Sequence, residues 1–286
     1  MFLTSCNNTK EEKITNPADY NIYLNTSINN TFDNANSEKE FWTKRLRKDS
    51  TGIGELRPLA NAYATMYEAS GDTLYLKNAE MLYRKAITIS AHNKNTYLLD
   101  LAKNLLSQHR YKEAKSVLEQ NLKGSSNRRA SQLTLFDITM KLKNYSEADK
   151  ILATLENASD YNYLIRLAER NKHHKNYEVA IKNMKAAMKV SEERKNKKMQ
   201  ITTNLQLAEL YLLSEKNKEA YKLYIKILQL QADNVLAKKQ LAWIVFKIEN
   251  NPKEANRIMD SVLVNYKSPD YLLFKSEISL SLQKLT

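Results

Sequence analysis

Five alanines stand at nearly fixed distances along this chain: Ala114, Ala148, Ala180, Ala220 and Ala255, at intervals of 34, 32, 40 and 35 residues. Each follows a turn and opens an apolar helical run, in Tyr111-Lys-Glu-Ala114, Tyr145-Ser-Glu-Ala148, Tyr177-Glu-Val-Ala180, Asn217-Lys-Glu-Ala220 and Pro252-Lys-Glu-Ala255. A period near 34 with two helices per unit marks a stacked array in which no unit buries its apolar faces alone. The small residues are a physical requirement, because helices that cross closely leave no room for a large side chain at the contact.

Composition supports an all-α chain. Only 4 Gly and 4 Pro occur in 286 residues, which disfavours many short strands joined by tight turns. Residues 1–18 read as a lipobox remnant and flexible tether, 19–55 as a helical lead-in, and 56–286 as the array with a C-terminal helix. Within the lead-in, Asp19–Leu24 suggests a short helix and 25–36 an Asn- and Thr-rich loop. Ser37-Glu-Lys-Glu40 fits a capping box opening a helix through Phe41, Trp42 and Leu46. Gly52-Ile53-Gly54 then reads as a turn, since a dinucleotide site would need a third glycine and a preceding strand.

From about Leu56 the chain resembles the tetratricopeptide family. That family places an apolar–small pair and then an aromatic on the first helix of each unit, with small, aromatic and small residues on the second. The first unit offers Tyr63, Ala64, Tyr67, Gly71, Ala79, Tyr83 and Ala86, with three extra residues lengthening the turn after Gly71. Leu98, Leu101, Ala102 and Leu105 precede Tyr111, Ala114 and Leu118 in the second unit; Leu164, Leu167 and Ala168 precede Ala180, Met184 and Ala187 in the fourth. Leu207, Ala208 and Tyr211 lead to Ala220, Tyr224 and Leu228 in the fifth, and Ala242, Trp243 and Phe246 to Ala255 and Met259 in the sixth. The third unit departs, with Phe136 at the small position and Leu155 at the later one. The long step from Ala180 to Ala220 contains Ser191–Lys198, which predicts lengthened helices meeting at a basic corner.

The resemblance implies a right-handed α-superhelix (an α–α repeat solenoid) of about six helix pairs plus a terminal helix. It also implies a concave groove, lined by first helices, that receives a protein or peptide. Carried over by register, the groove positions are Leu99, Lys103 and Leu106, then Leu133, Asp137 and Met140, then Ile165, Glu169 and Lys172. Leu205, Glu209 and Leu212 follow, with Ile244 and Lys247 in the sixth unit. Leu99, Lys103, Leu133 and Asp137 occupy the positions where some relatives clamp a C-terminal carboxylate, so that clamp is not reproduced. The result is an apolar run edged by Lys and Glu, suited to an apolar helix or extended peptide. Alternatively the chain's own first 50 residues cover it, with Tyr20, Phe41 and Trp42 as candidates.

The net charge of +13 invites an anionic partner. Lys heavily outnumbers Arg and acids are interleaved, which argues for solvated faces rather than a nucleic-acid interface. The rival reading is a cytoplasmic nucleic-acid binder using Arg128, Arg129, Arg166, Arg170, Lys172, Arg194, Lys195, Lys197 and Lys198. Catalysis needs a nucleophile with a base, paired carboxylates or a metal cluster. With His92, His109, His173 and His174 as the only histidines and no His-Glu-x-x-His, Cys-x-x-Cys or phosphate loop, no catalytic residue, cofactor site or metal site is expected.

Cys6, the sole cysteine, follows Leu3-Thr4-Ser5 and precedes a polar stretch from Asn7 to Glu12. This resembles the lipobox of Bacteroidota-type lipoproteins, with the signal peptide truncated ahead of it. It implies lipidation at Cys6 and an outer-membrane or other envelope location. A further alternative is an accessory lipoprotein of an outer-membrane assembly or uptake complex. At the other end, Ser268-Pro269-Asp270 starts a helix whose Tyr271, Phe274, Ile278, Leu282 and Leu285 form one stripe. Leu273 and Leu280 point away from it, offering a contact to a partner or a second copy of the chain.

Overall fold

Asn, Asp and Pro punctuate the described residues of this chain into fifteen helices. The computed structural model describes residues 13–24, 30–46, 53–92, 94–122, 128–157 and 159–284. The lead-in forms α1 (Pro17–Leu24) and α2 (Asn30–Arg45). Six antiparallel pairs follow: α3 (Ile53–Ser70) with α4 (Thr73–Ile89), α5 (Lys94–Ser107) with α6 (Tyr111–Leu122), and α7 (Arg128–Lys141) with α8 (Tyr145–Thr154). Then come α9 (Tyr161–His173) with α10 (Tyr177–Glu193), α11 (Lys197–Leu213) with α12 (Asn217–Leu230), and α13 (Val235–Lys247) with α14 (Pro252–Leu263). A single helix, α15 (Pro269–Gln283), closes the array. The described residues contain no strand.

Local chemistry explains these boundaries. The side chains of Asp72, Asn144, Asp160, Asn196, Asn234 and Asn251 each accept a backbone N–H at a helix start, stabilising it by about 1 kcal/mol. Every turn inside a pair contains one residue at positive φ: Gly71, His109, Lys143, Lys175, Glu215 and Asn250. From the second pair to the fifth, the amide after it reaches back across the turn, as Arg110 N–H does to the Leu105 carbonyl and Asn176 N–H to that of Asn171. This closure satisfies carbonyls that would otherwise be orphaned.

The five spaced alanines are completely buried, as is Ala79 in the first unit. In the first helices Ala102, Ala168, Ala208 and Ala242 are equally inaccessible. Phe136, at the corresponding position of the third unit, is also fully buried, packed with Leu133, Leu152, Leu155 and Tyr163 against the ten-residue α8. The long step between Ala180 and Ala220 is taken up by α10 and α11, each 17 residues.

Several sequence expectations need correction. The residues after Gly71 do not lengthen the turn; α4 begins at Thr73, so the excess is helix. The crossing shifts with it, and Ala60 rather than the half-exposed Ala64 packs with Ala79 and Tyr83. Gly54 lies in the first turn of α3. Ser37 does not start a helix; α2 begins at Asn30, and the Ser37 hydroxyl donates to the Asp33 carbonyl one turn back. Helix therefore replaces the expected loop from residue 30 onward, because the capping pattern is overridden by the packing of α2 on α3. Residues 14–16, expected in a free tether, are pinned: the amides of Ile14 and Thr15 donate to Glu249 at 2.7 and 2.5 Å.

A concave channel crossed by ion pairs

Successive first helices touch directly, α5 with α7 and α7 with α9, and no pair of successive second helices makes contact to that extent. In a curved stack the inner elements crowd and the outer ones fan apart, so the first helices line the concave face.

The expected groove residues divide by chemistry. Leu99, Leu133 and Ile244 are buried in the core and do not line the channel surface. A first helix packs on neighbours at both sides, and those contacts take up its apolar positions. Leu106, Met140, Ile165, Leu205 and Leu212 are half-buried, while Lys103, Glu209 and Lys247 are exposed.

The charged positions are brought together as a ladder from unit to unit. Arg57 on α3 pairs with Asp100 on α5 at 2.6 Å. Arg166 on α9 reaches Asp137 on α7 at 2.5 Å and also donates to the Leu133 carbonyl at 3.0 Å. Lys172 bonds Glu169 within α9 at 2.6 Å and Glu209 on α11 at 3.1 Å. Lys239 and Lys247 on α13 pair with Asp270 and Glu277 on α15.

Crowding shifts the protonation of this ladder. Burial pushes the Asp137 carboxyl above its usual value against the pull of Arg166, although 36% of its side chain stays accessible at the channel floor. Desolvation draws the Lys172 ammonium down, but Glu169 and Glu209 outweigh it and hold the group above its ordinary value. A cross-unit pair of this kind stabilises by about 0.2–1 kcal/mol where solvent reaches it.

The described residues of the lead-in pack outside the channel. Helix α1 lies on α12 and α14, the second helices of the last two units, in the crevice where the outer face fans open. Tyr20 is fully buried there, its hydroxyl donating to Glu254 at 2.8 Å, and the Tyr221 hydroxyl donates to Asp19 at 2.6 Å. Phe41 and Trp42 sit on α2, which packs on α3 as an extra helix at the head of the stack. Sequence reading missed this docking, since Tyr20 and Glu254 carry no pattern that links them.

The two ends of the array also meet. Lys267 N–H donates to the Ser70 carbonyl at 3.1 Å, and Thr31 on α2 bonds Asp233 beyond α12. A cleft of about 570 Å³ opens at this seam, lined by Phe32, Asp72, Tyr75, Val264 and Lys267 among others.

The nucleic-acid residues do not converge. Arg166 is committed to Asp137, Arg170 to Asp149 at 2.5 Å, Arg129 to Asp160 at 3.6 Å, and Lys172 to two glutamates. Lys195, Lys197 and Lys198 stand apart with Arg194 at the exposed corner between α10 and α11. His173 stacks on Tyr145 with ring centroids 3.5 Å apart, and His109 bonds the Tyr111 hydroxyl at 2.6 Å. Among the described residues no three His, Cys, Asp or Glu side chains could hold a metal ion, and no helix is long and apolar enough to cross a membrane. On α15, Leu273 and Leu280 are 73% and 58% exposed. Cys6 and Leu285 lie outside the described residues.

Sequence comparison matches no family model and no curated protein. Solved structures do match. A chain of the APC/C hetero-tetramer Cut9–Hcn1 aligns with TM-score 0.61 at 15% identity, over 87% of this chain and 46% of that one. This chain therefore spans about half the length of that relative. Yeast Tom70 aligns with TM-score 0.59 at 11% identity, over 99% of this chain and 67% of Tom70. A thermophilic TPR protein of Thermus thermophilus gives 0.57 at 15%, over 68% of this chain and all of that one. At such identities the likeness establishes the fold: a right-handed tetratricopeptide superhelical solenoid.

Proposed function

We propose that the chain is a non-enzymatic scaffold that holds a protein or peptide segment in its concave channel, at the cell envelope on a lipid anchor at Cys6. The observation that carries this reading is the docking of the described lead-in elsewhere: α1 sits on the outer face and α2 at the head of the stack. The inner wall between Lys103 and Lys247 thus stays uncovered by that segment. Half-buried Leu106, Met140 and Leu212 offer apolar contact there, and exposed Lys103 and Glu209 offer charges that fix register. The Cut9–Hcn1 chain, of similar fold, belongs to a hetero-tetramer.

Site-specific photo-crosslinking tests the channel. A photoreactive side chain at Met140 or Leu212 should capture the same partner from envelope extract, and one at Glu119 on an outer helix should not. Equal capture from Glu119 would refute the concave assignment. The anchor is tested separately, by the mass of the N-terminal peptide from cells: an acylated Cys6 supports it, and an unmodified thiol ends it.

A further inference from the structure

The turns within pairs lie along one edge of the solenoid, because the first helices run parallel and end there. The middle of that edge is basic. Lys112 in the first turn of α6, Lys141 at the end of α7, Lys143 in the turn that follows, and Lys175 after α9 are all exposed there. The acids beside them are engaged already: Glu113 with Arg84 and Arg110, Glu147 with Lys115, Asp149 with Arg170, and Glu178 with Lys216. Exposed Glu215 and Glu219 offset the charge at the fifth unit, and exposed Glu68 and Asp72 at the first.

The chain enters the described structure at the same edge. Ile14 and Thr15 are held by Glu249, which lies in the turn between α13 and α14. The seven residue-to-residue steps from Cys6 to Lys13 can span at most about 25 Å. A lipid on Cys6 would therefore be tethered from this edge rather than from the opposite one.

We propose that the edge bearing Lys112, Lys141, Lys143 and Lys175 is a docking surface for an anionic lipid bilayer. Its basic face adds electrostatic attraction to anionic headgroups, over and above the hold of any lipid tether. The tether rests on the lipid-anchor reading above; the charge attraction does not. The channel mouth would then open parallel to the membrane, leaving the inner wall reachable.

The test uses the full chain carrying Cys6→Ser, which cannot be acylated, so failure of the anchor and failure of this proposal are read separately. Co-sedimentation compares phosphatidylcholine vesicles with vesicles containing roughly a third phosphatidylglycerol, near physiological salt. Binding to the anionic vesicles should fall roughly tenfold or more in Lys141→Glu/Lys143→Glu/Lys175→Glu. It should fall less than twofold in Arg194→Glu/Lys195→Glu/Lys198→Glu, an equal charge change at the opposite edge. Glutamate is tolerated at the positive-φ turn position, since Glu215 already occupies it at φ 57°, and unchanged circular dichroism melting verifies each fold. Equal loss in both triple variants, or no binding to anionic vesicles, overturns the proposal. Binding to a mixed-sequence DNA duplex without vesicle binding overturns it too, and assigns the charge to nucleic acid.

Discussion

Lys267 and Ser70 join the two ends of the array by a backbone hydrogen bond of 3.1 Å. Around that bond the turn after α3 presses on the loop before α15. A Cβ on Gly71 would stand 3.0 Å from both Ser268 Cβ and Tyr266 Cζ. The equivalent turns carry His109, Lys143, Lys175, Glu215 and Asn250 at the same positive φ, so the turn alone does not demand glycine. Contact between the ends does.

Gly71→Ala should therefore destabilise the chain by about 1–3 kcal/mol, combining an unfavourable φ with a clash. Small-angle scattering should show a larger radius of gyration as the seam opens. Lys143→Gly, in an exposed turn of like geometry, should instead stabilise by about 0.5–1 kcal/mol. Matching effects at the two positions would mean the seam does not form.

Glu249 accepts from the amides of Ile14 and Thr15 and from the Thr15 hydroxyl at 2.8 Å. Glu249→Ala leaves those donors unpaired in a partly buried site, at about 2 kcal/mol. Limited proteolysis should then cut within residues 13–24 much faster than in the parent chain, with the array intact by mass. Unchanged cleavage would show that α1 is not held there.

Asn204 is fully buried with neither its amide nitrogen nor its oxygen hydrogen-bonded. Asn204→Leu should raise stability by about 1 kcal/mol, because an unpaired polar group is replaced by one needing no partner. Asn104 differs, its amide donating to the Leu76 carbonyl at 3.2 Å and its oxygen accepting from Gln108 at 2.7 Å. Asn104→Leu should destabilise. Chemical denaturation of both variants checks the contrast, and a loss at Asn204 would reveal a partner for it.

Alkaline titration should unfold the array through its tyrosines. Burial, then the charges of Tyr67 and Asp270, push Tyr266 up to about 12. Tyr83, Tyr224 and Tyr271 are also raised, chiefly by burial. The folded state holds these protons more tightly than the unfolded chain, whose phenols ionise near about 10. Stability is then complete below about pH 10 and drains as pH climbs through about 12. Melting temperature should fall together with the rise of phenolate absorbance, and Tyr266→Phe should soften that fall. A melting temperature that stays flat to about pH 11.5 would exclude the mechanism.

Register grouped some of the residues that the structure brings together. Asp137, Glu169, Lys172 and Glu209 all take part in ion pairs of the first helices, because a fixed period repeats each helix register and so repeats the face it shows. Leu99, Leu133 and Ile244 misled, since an apolar residue reads alike on a groove wall and in the core beneath. Register gives an angle around a helix, whereas burial depends on how closely the next helix approaches.

The helix pairs and their number follow from residue order alone, because capping residues, turn residues and buried alanines act within about forty positions of one another. Where α1 docks, why Gly71 is glycine, and that Ser70 meets Lys267 were settled only when the stack closed in three dimensions. Small rotations between neighbouring units accumulate along a stack, and only their total sets which distant residues come together.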